Sequence, residues 1–309
     1  MQVEEELARL SPHRDMLLTI GVFDGVHLGH QYLLSRLTEQ ARAQKLLSGV
    51  VTFRPHPQEV VAGTKLPLLT DLEERSRLLQ GQGVDAVITL SFTAELAQLS
   101  ARHFVSLLLR HLRMRGLVIG PDFALGRGRE GNIDTLRQLG REMNFSVTVV
   151  SPFTINGDVV SSTAIRQALA GGDIATVVRL TGRPYRLQGR VVAGAGRGIG
   201  LGFPTANLDL DQGRALPVDG VYASWAYVQG NAHPSLTNIG SCPTFGGGKR
   251  AIEVYLLDYR GDLYGGDLAI EIVERLRDEV KFSSAEELKR QIAEDVERGR
   301  VILATRSQS

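Results

Sequence analysis

The chain changes texture once, between Thr181 and Tyr185, and that change limits the fold more than any other feature. Before it, short apolar runs of strand character (17–23, 49–53, 86–90, 117–120 and 147–150) alternate with amphipathic stretches around 30–47, 71–81, 101–113 and 132–143. Buried strands separated by helices imply a parallel sheet with helices on both faces, so this part reads as α/β. Two short helices are expected at 162–171 and 173–180. From Tyr185 on, glycine-rich turns separate short alternating strands at 186–192, 221–227, 252–257 and 268–273, which is β-barrel or sandwich character. A final helix is expected over 284–302. It opens on a Ser283-Ser-Ala-Glu-Glu287 capping box, with Leu288, Ile292 and Val296 as its buried stripe. The expected domains are residues 1–182 and 183–309.

Composition supplies exclusions. A chain of 309 residues is more naturally two domains than one. The formal net charge is +1, so no global field favours nucleic acid or an anionic membrane, and local runs such as Arg127-Gly-Arg129 are judged as sites. The single cysteine, Cys242, rules out an internal disulfide framework and fits a reducing compartment. No basic or histidine neighbour activates it, and it reads as inert. The N-terminus, Met1-Gln-Val-Glu-Glu-Glu6, lacks the basic-then-apolar order of a signal peptide. No run reaches the roughly 18–20 apolar residues of a membrane helix, and the longest candidate, near 104–112, is cut by Arg110 and His111. The expected setting is the cytoplasm, without nucleic-acid or membrane partners.

In a parallel sheet, ligands sit outside the carboxyl ends of the strands. Loops follow the first strand (Gly21 to His30), the second (Pro55-His56-Pro57) and the fourth (Gly120-Pro121-Asp122). The first belongs to the string Thr19-Ile-Gly-Val-Phe-Asp-Gly-Val-His-Leu-Gly-His30. His27 and His30 stand three apart at a helix start and share a face, with Gly29 leaving the backbone open between them. Unpaired N–H groups and the positive dipole end make this an anion site with two imidazole donors, suited to a triphosphate. Further on, Val160-Ser-Ser-Thr-Ala-Ile-Arg166 sets hydroxyls at a helix start and a guanidinium one turn later, a second phosphate clamp. Each pattern also has a plain structural reading, as a helix cap or a stiffened turn.

The string around His27 and His30 closely resembles the HxGH nucleotidyltransferase superfamily, in its FAD-synthetase branch, and Ser161-Ser-Thr-Ala-Ile-Arg166 looks like that family's SSTxIR motif. The resemblance implies a Rossmann-like domain in which Gly21, Phe23, Asp24, Gly25, His27, Gly29, His30, Ser162, Thr163 and Arg166 bind ATP, with His27, His30 and Arg166 catalytic. Thr52-Phe-Arg-Pro-His-Pro57 resembles the family's TFxPHP segment, and Gly120–Gly131 its flavin-side loop. His56, Pro57, Asp122 and Phe123 are therefore expected on the flavin, where an aromatic ring can stack on an isoalloxazine. Pro121 departs from the family pattern within that loop. The implied reaction is adenylyl transfer, in which an FMN phosphate oxygen attacks the α-phosphorus of ATP, pyrophosphate leaves and FAD forms. Such chemistry needs positioning and charge neutralisation rather than a protein nucleophile. Mg²⁺ is expected, and spacing does not identify its ligands at this site.

The second part carries Gly194-Ala-Gly-Arg-Gly-Ile-Gly-Leu-Gly-Phe-Pro-Thr-Ala-Asn207. Repeated glycines let backbone amides approach phosphates, and Pro204 then presents Thr205 and Asn207 on one face of an extended strand. A hydroxyl and an amide oxygen are hard ligands suited to Mg²⁺ on ATP phosphates. No Gly-Lys-Ser/Thr follows, so this is not a Walker loop. A glycine-rich hairpin is the plainer alternative. The core Gly202-Phe-Pro-Thr-Ala-Asn207 resembles the riboflavin kinase signature. Gly220-Val-Tyr222, an expected loop at Asn238–Gly246 and a strand at Ile252–Asp258 agree with that family. The resemblance implies a six-stranded antiparallel barrel in which Gly194, Gly196, Gly202, Phe203, Pro204, Thr205 and Asn207 bind ATP. Thr205 and Asn207 would hold Mg²⁺, and Glu253 would be the base for the ribityl hydroxyl. Ile199 replaces a usual arginine and Tyr255 a frequent histidine, and neither departure removes Thr205, Asn207 or Glu253.

With motifs in family order along nearly its whole length, the chain is identified as a member of the bacterial bifunctional riboflavin kinase/FMN adenylyltransferase family. Its expected small-molecule partners are riboflavin, FMN and ATP, with FAD as product. Two other readings use the same residues: an enzyme with one inactive domain, and a flavin-binding regulator without catalysis.

Overall fold

A computed structural model describes residues 1–10, 12–194, 197–210, 213–241 and 250–306. By its internal contacts the chain divides into two compact units, Met1–Ser162 and Thr163–Ser309.

The first unit opens with α1 (Gln2–Ala8), a helix formed by the acidic N-terminus that buries Val3 and Leu7. There follow β1 (Met16–Ile20), α2 (Leu28–Ala43), β2 (Leu47–Arg54), α3 (Pro57–Ala62), α4 (Leu72–Gln80), β3 (Ala86–Ser91), α5 (Ala94–Ala97), α6 (Ala101–His111), β4 (Met114–Ile119), α7 (Ile133–Met143) and β5 (Ser146–Val149). A small hairpin, β6 (Thr154–Ile155) and β7 (Asp158–Val159), ends the unit. Asp71, Thr93, Ser100 and Asn132 cap α4, α5, α6 and α7, each side chain accepting the N–H three residues on. The sheet is five-stranded, in the order β3-β2-β1-β4-β5, with every pairing parallel. Central β1 is buried at every position because alternate side chains enter two cores. Met16, Leu18 and Ile20 join Phe104, Val105 and Leu108 of α6. Leu17 joins Leu34, Leu37 and Ala41 of α2. The strand expected to reach Phe23 stops at Ile20, because Phe23 and Gly25 turn the backbone to φ of 55° and 81°. The parallel pairing puts the loops after β1, β2 and β4 at one sheet edge.

In the second unit α8 (Ser162–Gly171) and α9 (Ile174–Thr181) precede the strands, and the Val218 N–H donates to the Leu169 carbonyl at 2.9 Å. The strands are β8 (Tyr185–Val192), β9 (Ala206–Asp209), β10 (Gly220–Val228), β11 (Asn231–Ser241), β12 (Arg250–Leu256) and β13 (Asp267–Arg277), with a short α10 (Arg197–Leu201) before β9. They close into a six-stranded barrel in the order β10-β11-β12-β9-β8-β13. Tyr222, Ser224 and Ala226 point inward and are fully buried. The Ser224 hydroxyl is satisfied there by Ser235 and Thr237 at 2.8 and 2.7 Å. The outward residues Val221 and Ala223 meet Leu303 of α11 (Ala285–Arg306).

Two expectations are corrected. Asn238 to Ser241, expected as the start of a loop, form the end of β11, held by pairing with Arg250–Glu253. The rest of that segment, including Cys242, lies outside the described residues. In α11 the capping box forms, with the Glu287 N–H on the Ser284 hydroxyl at 3.1 Å and the Ser283 N–H on the Glu287 carboxylate at 3.0 Å. However, Leu288, Ile292 and Val296 are only half-buried, and the buried positions are Asp295, Gly299 and Leu303. Asp295 is drawn in by Arg277 at 2.8 Å, and Gly299 admits Leu236 where an added Cβ would stand 2.6 Å from its Cδ2.

Candidate active sites

The first candidate site is the turn between β1 and α2. Within four residues, Phe23, Gly25 and Val26 adopt positive φ, a conformation costly for the bulky side chains and held by burial of both Phe23 and Val26. His27 then caps α2: its Nδ1 accepts the His30 N–H at 3.3 Å. A neutral ring with its Nδ1 lone pair occupied carries its proton on Nε2, which makes His27 an Nε2–H donor. The two imidazoles stack with centroids 3.6 Å apart, and Phe23 meets the His30 ring edge-on at 5.1 Å. Glycine at 29 suits a close approach, since an added Cβ would lie 3.1 Å from both the His27 ring and the Val160 carbonyl. At Gly21 an added Cβ would lie 3.1 Å from the Phe23 ring.

Asp24 proves to be the anchor of this turn. Its carboxylate is 3% exposed and accepts the Leu69 N–H with both oxygens at 3.0 Å, the Thr70 N–H at 3.1 Å and the Thr70 hydroxyl at 3.2 Å. In return the Gly25 N–H donates to Thr70 Oγ1 at 3.0 Å. The guanidinium of Arg75 is buried beside this clasp and donates to the Phe53 carbonyl at 3.0 Å. Burial pushes its pKa down, and the negative charges of Asp24 and Asp71 oppose that shift. From the other side the Ser162 hydroxyl donates to the Asp24 carbonyl at 2.8 Å. Sequence reading missed Leu69, Thr70 and Arg75, because nothing local marks a partner 45 residues away.

The remaining expected residues of the adenylyl site are distributed as follows. His56 caps α3, its Nδ1 accepting the Gln58 N–H at 3.1 Å, and Pro57 takes the first helical turn. Asp122 is exposed at the tip of its loop, and its carbonyl accepts from Arg129 at 2.8 Å. Phe123 is half-buried against the sheet core. Thr163 is exposed and Arg166 half-buried on α8, in the second compact unit.

The second candidate site lies on the outer face of the barrel. Strand register sets Val192, Asn207, Glu253, Asn238 and Val221 in one rank across β8, β9, β12, β11 and β10. Directly paired residues share a face with Cβ atoms about 5 Å apart, so Glu253 stands between two carboxamides. Asn207 is held by close packing: a Cβ at Gly194 would fall 1.9 Å from its Nδ2. Thr205 sits one residue before β9, near Gly198, where an added Cβ would lie 3.5 Å from the Thr205 hydroxyl. Gly202 turns the chain at φ 86° just before Phe203, whose ring meets Tyr255 edge-on at 5.5 Å. Tyr255 thus packs against the Gly202-Phe203 turn, which accounts for an aromatic residue there. Asn238, a neighbour of Glu253 that sequence reading assigned to a loop, has a buried Oδ1 with no donor among the described residues. Gly196 and the side chain of Ile199 lie outside the described residues.

A strained turn carrying two stacked imidazoles at the edge of a parallel sheet, and a carboxylate ranked between two carboxamides on a closed barrel, fit an enzyme with two sites that transfers groups from nucleotides. The FAD synthetase family model matches residues 10–164, and the riboflavin kinase model matches residues 181–303. The bifunctional riboflavin kinase/FMN adenylyltransferase of Escherichia coli K12 is 43% identical over 288 residues, covering 92% of each chain. That of Pseudomonas fluorescens is 40% identical over 307 residues, covering 98% of each. A solved structure from Streptococcus pneumoniae, described as a macrolide-efflux protein, superposes with a TM-score of 0.88 at 29% identity over 97% of both chains. The efflux description belongs to that protein, and the superposition concerns the fold. The chain belongs to the bifunctional riboflavin kinase/FMN adenylyltransferase family. It phosphorylates riboflavin to FMN and adenylylates FMN to FAD, with ATP as the nucleotide substrate of both steps. Among the described residues no helix is long and apolar enough to cross a membrane.

Proposed function

We propose that the two half-reactions divide between the two sites, with the following roles. At the adenylyl site the His27 Nε2–H, His30 and the N–H groups opening α2 bind the triphosphate and stabilise the α-phosphorus as charge builds in transfer. Asp24 and Ser162 act from behind by fixing the turn. Thr163 and Arg166 are the motif's further phosphate donors, and His56, Pro57, Asp122 and Phe123 its flavin contacts. Arg166 is counted with His27 and His30 as catalytic.

In the kinase, Glu253 takes the proton of the primary ribityl hydroxyl. The hydroxyl oxygen attacks the γ-phosphorus, and the bond to the β-phosphate oxygen breaks to release ADP. The observation that carries this reading is the direct pairing of Asn207 with Glu253, which puts a hard oxygen ligand and a carboxylate on neighbouring strands. Thr205 and Asn207 fit Mg²⁺ as neutral oxygen donors, leaving further positions for ATP phosphates and water. When bound, the metal supplies charge neutralisation on the transferring phosphoryl group. Gly194, Gly196, Gly202, Phe203 and Pro204 shape the nucleotide loop. We place the functional boundary after residue 182, beside the start of the riboflavin kinase match at 181, although α8 and α9 group with the barrel by contact. A reducing cytoplasm fits the single cysteine.

Separation of flavin products after incubation with ATP and Mg²⁺ tests the division. His30→Ala is expected to suppress FAD formation from FMN while riboflavin is still phosphorylated. Glu253→Ala is expected to do the reverse. Loss of both activities from either single change, in a protein that keeps its fold, would refute the two-site assignment.

A further inference from the structure

Asn238 carries a buried acceptor atom. Its Oδ1 has no hydrogen-bond partner among the described residues, although Asn238 as a residue is half-exposed on the outer face of β11. A buried polar atom without a partner is destabilising, so natural proteins keep such atoms where a ligand or water completes them. Register places this amide directly opposite Glu253, on the side away from Asn207. The three side chains share one face, each about 5 Å from the next at Cβ. Asn207 packs against the nucleotide loop at Gly194, so Asn238 is the carboxamide on the flank of Glu253 away from that contact.

The acceptor's chemistry fits that flank. Riboflavin carries a primary hydroxyl at the end of a chain of secondary hydroxyls. The proton of the primary hydroxyl goes to the base, so that hydroxyl cannot also donate to a second acceptor. The secondary hydroxyl next to it can. We propose that Asn238 Oδ1 accepts from that neighbouring hydroxyl, fixes the rotation of the ribityl end and so points the primary hydroxyl at Glu253. Asn238 is then a substrate-positioning residue that makes the kinase selective for a polyol chain. The proposal rests on the reading of Glu253 as base.

The test compares riboflavin with an isoalloxazine bearing an ω-hydroxypentyl chain, which keeps the reacting primary hydroxyl and lacks every secondary one. The full-length enzyme is expected to favour riboflavin in kcat/KM by on the order of ten-fold, the effect of one well-placed hydrogen bond. Asn238→Ala should lose about that factor on riboflavin and almost nothing on the analogue, so that the preference vanishes. Asn238→Asp keeps an acceptor oxygen at the same position and should keep the preference. The barrel's integrity is read from the fluorescence of Trp225, the single tryptophan of the chain. An equal loss on both substrates in Asn238→Ala, or a preference lost in Asn238→Asp with the Trp225 signal intact, overturns the proposal. Should Asn238→Ala unfold the barrel, the Asn238→Asp arm decides alone. Glu253→Gln is measured beside them: full FMN formation there removes the base reading itself, whatever the Asn238 variants do.

Discussion

Asp24→Ala is expected to destabilise the first unit by about 4 kcal/mol, counted from the bonds it breaks. The side chain is 3% exposed and receives the backbone N–H groups of Leu69 and Thr70 at 3.0 to 3.1 Å. Alanine leaves both donors buried without an acceptor, at roughly 1–3 kcal/mol each. It also removes an anionic neighbour of Arg75, whose buried Nε has no partner among the described residues. Asp24→Asn offers little relief. The amide retains one acceptor oxygen, turns its NH₂ toward a second N–H and lacks the charge, so its cost is about 2–4 kcal/mol. For a unit of this size each kcal/mol lowers Tm by roughly 2–4 °C, which puts Asp24→Ala about 8–16 °C below the parent. Differential scanning calorimetry measures the shift, and the two half-reactions report where the damage lies. FAD formation should fall with the folded fraction, whereas FMN formation should persist. A shift below about 3 °C would mean that Leu69 and Thr70 find other acceptors, and the anchoring argument would fail.

Gly194→Ala places a Cβ 1.9 Å from Asn207 Nδ2, so the amide must move. A displacement of about 1 Å at a phosphoryl-transfer site can cost on the order of a hundred-fold in rate; kinase assays should show at least a large part of that loss, with FAD formation from added FMN unchanged. The Tyr227 phenol is pushed up to about 12 by burial first, then by its hydrogen bond to Glu271 and that carboxylate's charge, against the opposing charge of Arg186. A raised folded-state pKa means that the stabilisation is complete below the ordinary tyrosine range near 10 and is lost as pH climbs toward 12. Ultraviolet titration should therefore show a late phenol that disappears in Tyr227→Phe, and a phenol ionising near its ordinary value would contradict the contacts. Asp295 is 5% exposed and holds Arg277 through Nε at 2.9 Å and Nη2 at 2.8 Å. Asp295→Ala should cost about 3 kcal/mol, the low end for a broken buried pair because Arg277 keeps some water contact. Urea unfolding followed through Trp225 measures it.

Much of this architecture was legible because local chemistry and global fold agree. Alternating buried strands and capped helices announce the parallel sheet, and Ser283 to Glu287 announce the last helix with both reciprocal bonds formed. Reading failed where a residue's surroundings come from far along the chain. Asp24 looks like a phosphate-loop side chain, yet its carboxylate is committed to a backbone 45 residues away. Asn238 lies two residues before a glycine and reads as the start of a loop, but pairing with both Val221 and Glu253 extends the strand through it. In α11 the helical period marks apolar residues, whereas an ion pair and a glycine contact rotate the buried seam onto Asp295, Gly299 and Leu303.

The hydrogen bond from Ser162 to the Asp24 carbonyl spans 138 residues of chain, and Val160 closes over Gly29 from the same side. The turn between β1 and α2 is therefore among the first parts of its unit to leave the ribosome and among the last of that unit to be finished. A nascent chain that stops short of Val160 holds the histidines but not the clamp that fixes their turn. The turn is held from this side only once more than half the polypeptide has been made, so its completion waits on the last residues of its own unit.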